Sequence, residues 1–104
     1  MTRARMIELK DALEDAGWEV STENSKGDLF YVEDEAVEWI LLNKNKEKKR
    51  LLRFCLFDYL GRRTTNLSDI LYVEEESLGI ELYFKKINTK EWKATMKDFV
   101  SALF

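Results

Sequence analysis

Residues 36–59 read AVEWILLN, then KNKEKK, then RLLRFCLFDY. Two runs rich in apolar, β-branched and aromatic residues flank a highly charged tip. That is the pattern of a long antiparallel hairpin, and the rest of the chain is arranged around it. Residues directly opposite in such a pair share a face, and faces alternate with period two. A four-residue loop from Asn45 to Lys48 sets Leu41 opposite Leu52, Trp39 opposite Phe54 and Val37 opposite Leu56. On the other side of the first strand, Asp34-Glu35 closes a tight loop, so that Val32 faces Val37 and Phe30 faces Trp39. One face then collects Phe30, Val32, Val37, Trp39, Leu41, Leu52, Phe54 and Leu56 without a charge. A one-residue slip in either pairing brings in Arg53 and Glu38. An unpaired buried charge costs several kcal/mol, roughly its effective desolvation penalty, so this parity is favoured.

Working outward, Met6, Leu9, Leu13 and Ala16 recur at three- and four-residue steps, predicting a helix over Thr2–Ala16 that Ile7 widens. Gly17 follows as a residue able to take positive φ. Trp18–Thr22 and Leu29–Glu33 read as strands around an Asn24–Asp28 turn. Asp69–Glu75 and Leu78–Lys86 read as a second hairpin turning at Glu76–Gly79. Parity puts Leu71, Val73, Leu82 and Phe84 inward, joined by Ile80, and Tyr72, Glu81, Tyr83 and Lys85 outward. Asn88 with Glu91 three residues on is a capping-box pattern, and Trp92, Met96, Phe99, Val100 and Leu103 follow at helical spacing. The expected architecture is α+β: an antiparallel sheet of five to six strands in meander-like order, with N- and C-terminal helices packed on one face. A strand-rich body closing with a helix that carries Trp92 resembles the general layout of pleckstrin-homology-like domains. The leading helix and the low strand count depart from that layout, and no binding residues carry over from it.

Composition bounds the function. The 104 residues suit a single domain, 1–104, with 45% hydrophobic and 36% charged residues. There is no Pro, and with four Gly no stretch reads as a linker. No apolar run reaches membrane-spanning length, about 18 residues. The N-terminal stretch has Glu and Lys inside its apolar part, unlike a signal peptide. One cysteine, Cys55, cannot form an internal disulfide, and a reducing, cytoplasmic setting is expected. The absence of histidine removes the commonest general base and zinc ligand. No cofactor or metal is expected, and no catalytic residue. Cys55, with Arg53 two positions away, reads as a packed strand cysteine rather than a nucleophile. Glu33–Glu35 and Glu74–Glu76 read as solvated turn charges, since neither has calcium-loop spacing. Asp58 and Asp69 lack the glycine-rich or serine-elbow context of a catalytic pair.

The opposite face of the sheet carries the functional expectation. It collects Leu29, Tyr31, Ile40, Leu42, Leu51, Arg53, Cys55, Phe57, Tyr59, Tyr72 and Tyr83, including all four tyrosines. Tyrosine suits a surface that is alternately wet and covered. The centre is too apolar for a solvated face, which marks contact with another molecule. The partner-binding set is Tyr31, Ile40, Leu42, Leu51, Arg53, Phe57, Tyr59, Tyr72 and Tyr83. The expected function is a non-enzymatic protein-interaction domain that pairs with itself or with another protein. A loop such as Arg62–Ser68 folding over the face is the bland counterpart. The alternative is anion or nucleic-acid binding through Lys44, Lys46, Lys48, Lys49, Arg50, Arg62 and Arg63. Between Lys44 and Arg63 eight basic residues stand against Glu47 and Asp58, but the net charge of the chain is −3 and its pI is about 5.1. A nucleic-acid domain is usually basic overall, which counts against that alternative; a second use of the basic hairpin is docking on an acidic partner or on the acidic part of a second copy.

Overall fold

The computed structural model describes residues 2–21, 37–55, 60–62 and 70–104. Within them lie helix α1 (Thr2–Asp15), strands β1 (Glu19–Ser21), β2 (Val37–Asn43), β3 (Lys48–Phe54), β4 (Tyr72–Glu75) and β5 (Ile80–Tyr83), and helix α2 (Thr89–Ala102). The described strands form one five-stranded antiparallel sheet in the order β1-β2-β3-β4-β5. The strand expected over Leu29–Glu33, and its pairings Phe30–Trp39 and Val32–Val37, lie outside the described residues.

Helix α1 ends where its sequence requires. Gly17 adopts φ +98°, its N–H donates to Glu14 O at 3.0 Å, and the Trp18 N–H donates to Leu13 O at 2.9 Å. This double reversal satisfies carbonyls that the helix end leaves open, and it lays the buried Trp18 against the buried Leu13 side. The buried stripe is wider than expected, but on the opposite edge and through polar residues. Ile7 is 41% exposed, whereas Thr2 and Arg5 are buried. Positions 2, 5, 6, 9 and 13 form one helical face, and Ile7 falls off it.

The central hairpin keeps the expected parity but not the expected register. Asn43 pairs with Lys48, Leu41 with Arg50, Trp39 with Leu52 and Val37 with Phe54. The loop is therefore Lys44–Glu47, one residue earlier, and every pairing shifts by two. Asn43 fixes it: this buried side chain accepts the Lys46 N–H at 3.1 Å, and Glu47 takes φ +50° to close the turn. A two-residue shift preserves the faces, so Trp39, Leu41, Leu52 and Phe54 still point inward and are buried.

Both helices cover that inner face. One core joins Met6, Leu9 and Leu13 of α1, Trp92, Met96, Phe99 and Val100 of α2, and the inward residues of the sheet. Trp18, Trp39 and Trp92 are all buried. In the second hairpin Val73, Leu82 and Phe84 are buried as expected, and Ile80 packs against the core. Leu71 is the exception: it is half-buried, and the preceding Ile70 is fully buried instead. The β4–β5 ladder still reaches Leu71, whose carbonyl accepts the Phe84 N–H at 2.7 Å. Helix α2 begins at its predicted cap, Asn88, whose Oδ1 accepts the Glu91 N–H at 2.8 Å. Arg5 fastens α1 to the segment between β5 and α2. It donates to Phe84 O and Ile87 O, each at 2.9 Å, and lies 5.3 Å from the centre of the Trp92 ring. Trp92 Nε1 in turn donates to Glu8 at 2.7 Å.

Candidate functional site

The outer face is built by the alternate residues of each strand. On β2 these are Glu38, Ile40 and Leu42; on β3, Lys49, Leu51, Arg53 and, just beyond, Cys55; on β4 and β5, Tyr72, Glu74, Glu81 and Tyr83. Ile40 lies directly across from Leu51, and Leu42 from Lys49. Leu42 and Leu51 are each 39% exposed, and Ile40 is half-buried between them. Tyr72 and Tyr83 stand opposite each other with ring centres 5.1 Å apart. The structure thus brings together Ile40, Leu42, Leu51, Arg53, Tyr72 and Tyr83 on one face. Tyr31, Phe57 and Tyr59 lie outside the described residues.

Charges frame this apolar centre. Arg53 reaches Glu38 and Glu76, each at 3.4 Å, and stands opposite Glu74. All three side chains in those ion pairs keep contact with solvent, so each pair is worth at most about 1 kcal/mol. The two hairpins are oppositely charged. Residues 37–55 carry six basic and two acidic side chains, whereas residues 72–83 carry four glutamates and no basic residue.

The tyrosines feel that acidity. The Tyr72 phenol is pushed up to about 12, first by its electrostatic interaction with Cys55, then by burial, by its hydrogen bond with Cys55, and by Glu74 and Glu81. Tyr83 is raised as well, by its hydrogen bond with Glu81 first.

The basic run divides between the two faces. Lys48 and Arg50 share parity with Leu52, so they point to the helix side. Arg50 Nε donates to Leu103 O at 2.8 Å, and Lys48 donates to Phe104 O. Helix α2 has no basic residue in its last turn, and these strand cations satisfy carbonyls at its end in their place. Lys46 lies 4.6 Å from the centre of the Phe104 ring. Lys44 pairs with Glu19 at 3.4 Å, while Lys49 and Arg62 are exposed. Arg63 lies outside the described residues. Three members of the anion-binding set, Lys46, Lys48 and Arg50, thus converge on the end of the chain.

The acidic cluster Glu74–Glu76 does not converge. Glu74 faces outward, Glu76 reaches Arg53, and Glu75 points inward and is 3% exposed. Glu75 Oε2 accepts the Leu51 N–H at 2.8 Å; its Oε1 accepts the Ser77 N–H at 2.9 Å and the Ser77 hydroxyl. Burial pushes this carboxyl up, but the Ser77 and Leu51 donors and the Arg50 charge outweigh it, so the group titrates below the usual range. Reading Glu75 as a solvated turn charge is therefore corrected. A glutamate at an inward parity position, two residues after Val73, was the available signal. Glu33–Glu35, Asp58 and Asp69 lie outside the described residues. Among the described residues no three His, Cys, Asp or Glu side chains form a metal-binding group, and no helix is long and apolar enough to cross a membrane.

No protein-family model, curated protein or solved structure matches the chain.

Proposed function

We propose that this chain is a non-enzymatic interaction domain that pairs with a second copy of itself across the outer sheet face. The observation that carries this is the exposed Leu42–Leu51 patch, with Ile40 at its centre, lying on the face that the two helices do not cover. A hydrophobic cluster set in a polar rim is the usual form of a protein contact. Charge favours a second copy as the occupant. On the outer face the β2–β3 hairpin presents Lys49 and Arg53, and the β4–β5 hairpin beside it presents Glu74 and Glu81. A two-fold rotation sets each over its opposite in the partner, which gives complementarity without a second gene product. Tyr72 and Tyr83 bury their rings in such a contact and leave their hydroxyls at its rim.

Light scattering at micromolar concentration tests this. The wild type is expected at twice the monomer mass, and Leu42→Glu at the monomer mass while still folded, with an unfolding transition that no longer depends on protein concentration. A wild type that stays monomeric across the accessible concentration range overturns the reading.

A further inference from the structure

The ladder between β3 and β4 stops early. Arg53 and Phe54 pair with Glu74 and Val73, and the Cys55 N–H donates to Tyr72 O at 2.9 Å. In an antiparallel strand, alternate residues turn their N–H and C=O to the same side. Cys55, Arg53, Leu51 and Lys49 therefore all present their backbone groups toward β4. Beyond Arg53, however, the β4 chain bends away into the Glu76–Gly79 turn. The Leu51 N–H receives the Glu75 carboxylate in place of a strand carbonyl. One step further, no described strand pairs with Lys49 on this side. A notch of about 490 Å3 opens there, between Lys49, Leu51 and Arg53 on one wall and Glu75, Glu76 and Ser77 on the other, with Glu76 drawn to Arg53.

A strand edge of this kind is a template for another extended chain. Three features state the chemistry of that chain. The same edge already carries an acidic strand, since β4 reads YVEE and sets Glu74 opposite Arg53. Its Leu51 N–H is already filled by a carboxylate. The next side chain along the outer face is the exposed cation Lys49.

We infer that the β3 edge from Lys49 to Leu51 receives an extended acidic peptide, antiparallel to β3. Side chains directly opposite share a face, so the peptide places an apolar residue opposite Leu51 and Asp or Glu opposite Lys49. Read from its N-terminus, the recognised pattern is apolar, any, acidic. The peptide backbone takes the Lys49 N–H and C=O. Full pairing at Leu51 displaces the Glu75 carboxylate, so Glu75 is an internal competitor that sets the affinity. This edge shares the side chains of Lys49 and Leu51 with the proposed self-associating face, so its test is run in the Leu42→Glu monomer as well as in the wild type.

The probe is the blocked hexapeptide Thr-Val-Thr-Glu-Val-Thr, and the readout is amide exchange at Lys49 and Leu51 by NMR. The peptide is expected to slow exchange at Lys49. Glu75→Gln, which keeps the size of the side chain and removes its charge, should bind several-fold tighter. Lys49→Glu should bind about tenfold more weakly, and so should a peptide with Lys in place of Glu. Unchanged Lys49 exchange at millimolar peptide in both the wild type and Glu75→Gln overturns the proposal. So does equal binding of the Glu and Lys peptides. Protection of Lys49 without peptide that disappears on dilution assigns the edge to a second copy and overturns it too.

Discussion

Leu51 and Glu75 are joined by a backbone-to-carboxylate hydrogen bond of 2.8 Å at the point where the β3–β4 ladder ends. The same carboxylate holds the β4–β5 turn through Ser77. One side chain thus finishes a strand pairing and starts a turn. Its hydrogen bonds hold the group below its ordinary value of 4.5 in the folded protein. As pH falls, the unfolded chain takes up the proton first. The stabilisation is therefore complete above about pH 5 and is lost as pH drops through the folded value. Glu75→Gln should be less stable than wild type at pH 7 by about 1–3 kcal/mol and should show a flatter pH dependence below pH 5. Urea unfolding at stepped pH measures both, and parallel pH profiles would refute the assignment.

Arg5 should behave as a buried fastener rather than a surface cation. Arg5→Ala leaves the carbonyls of Phe84 and Ile87 without their donor and uncovers one face of Trp92. The expected loss is about 2–4 kcal/mol in denaturant unfolding. Arg5→Lys should recover only part of it, because an ammonium lacks the two-pronged geometry that reaches both carbonyls. A loss within a few tenths of a kcal/mol for Arg5→Ala would show that the clasp contributes nothing.

Tyr72 offers a titration that reports on its neighbour. Its phenol is pushed up to about 12, chiefly by its electrostatic interaction with Cys55. Cys55→Ser removes the largest cause of that rise, so the Tyr72 titration should move back toward its ordinary value. Ring-carbon NMR of labelled tyrosine follows Tyr72 separately from the other three. An unmoved titration would mean that Glu74, Glu81 and burial carry the whole shift.

What could be read from the sequence, and what could not, follows from distance along the chain. The inward positions of β2 and β3 were legible because pleat parity survives even a two-residue error in register. Asn88 and Gly17 were legible because a helix cap is a local device, closed within three or four residues. The loop position was missed because a buried Asn43 side chain, rather than the centre of the charged run, decides which pair closes the hairpin. Lys48 and Arg50 were read as part of a basic tip, since nothing near them reveals the carbonyls of Leu103 and Phe104. Arg5 meets its partners about 80 positions later. Its only local sign was its place on the stripe with Thr2 and Leu9.

The clasp of Lys48 and Arg50 on the end of α2 gives the ribbon a mechanical role. The strand whose outer side carries Lys49 and Leu51 holds, by its inner side, the last turn of a helix. Any displacement of that strand would have to carry the Leu103 and Phe104 carbonyls with it or break these two hydrogen bonds. The outer face and the helix layer are thus fastened to each other through alternate side chains of one strand.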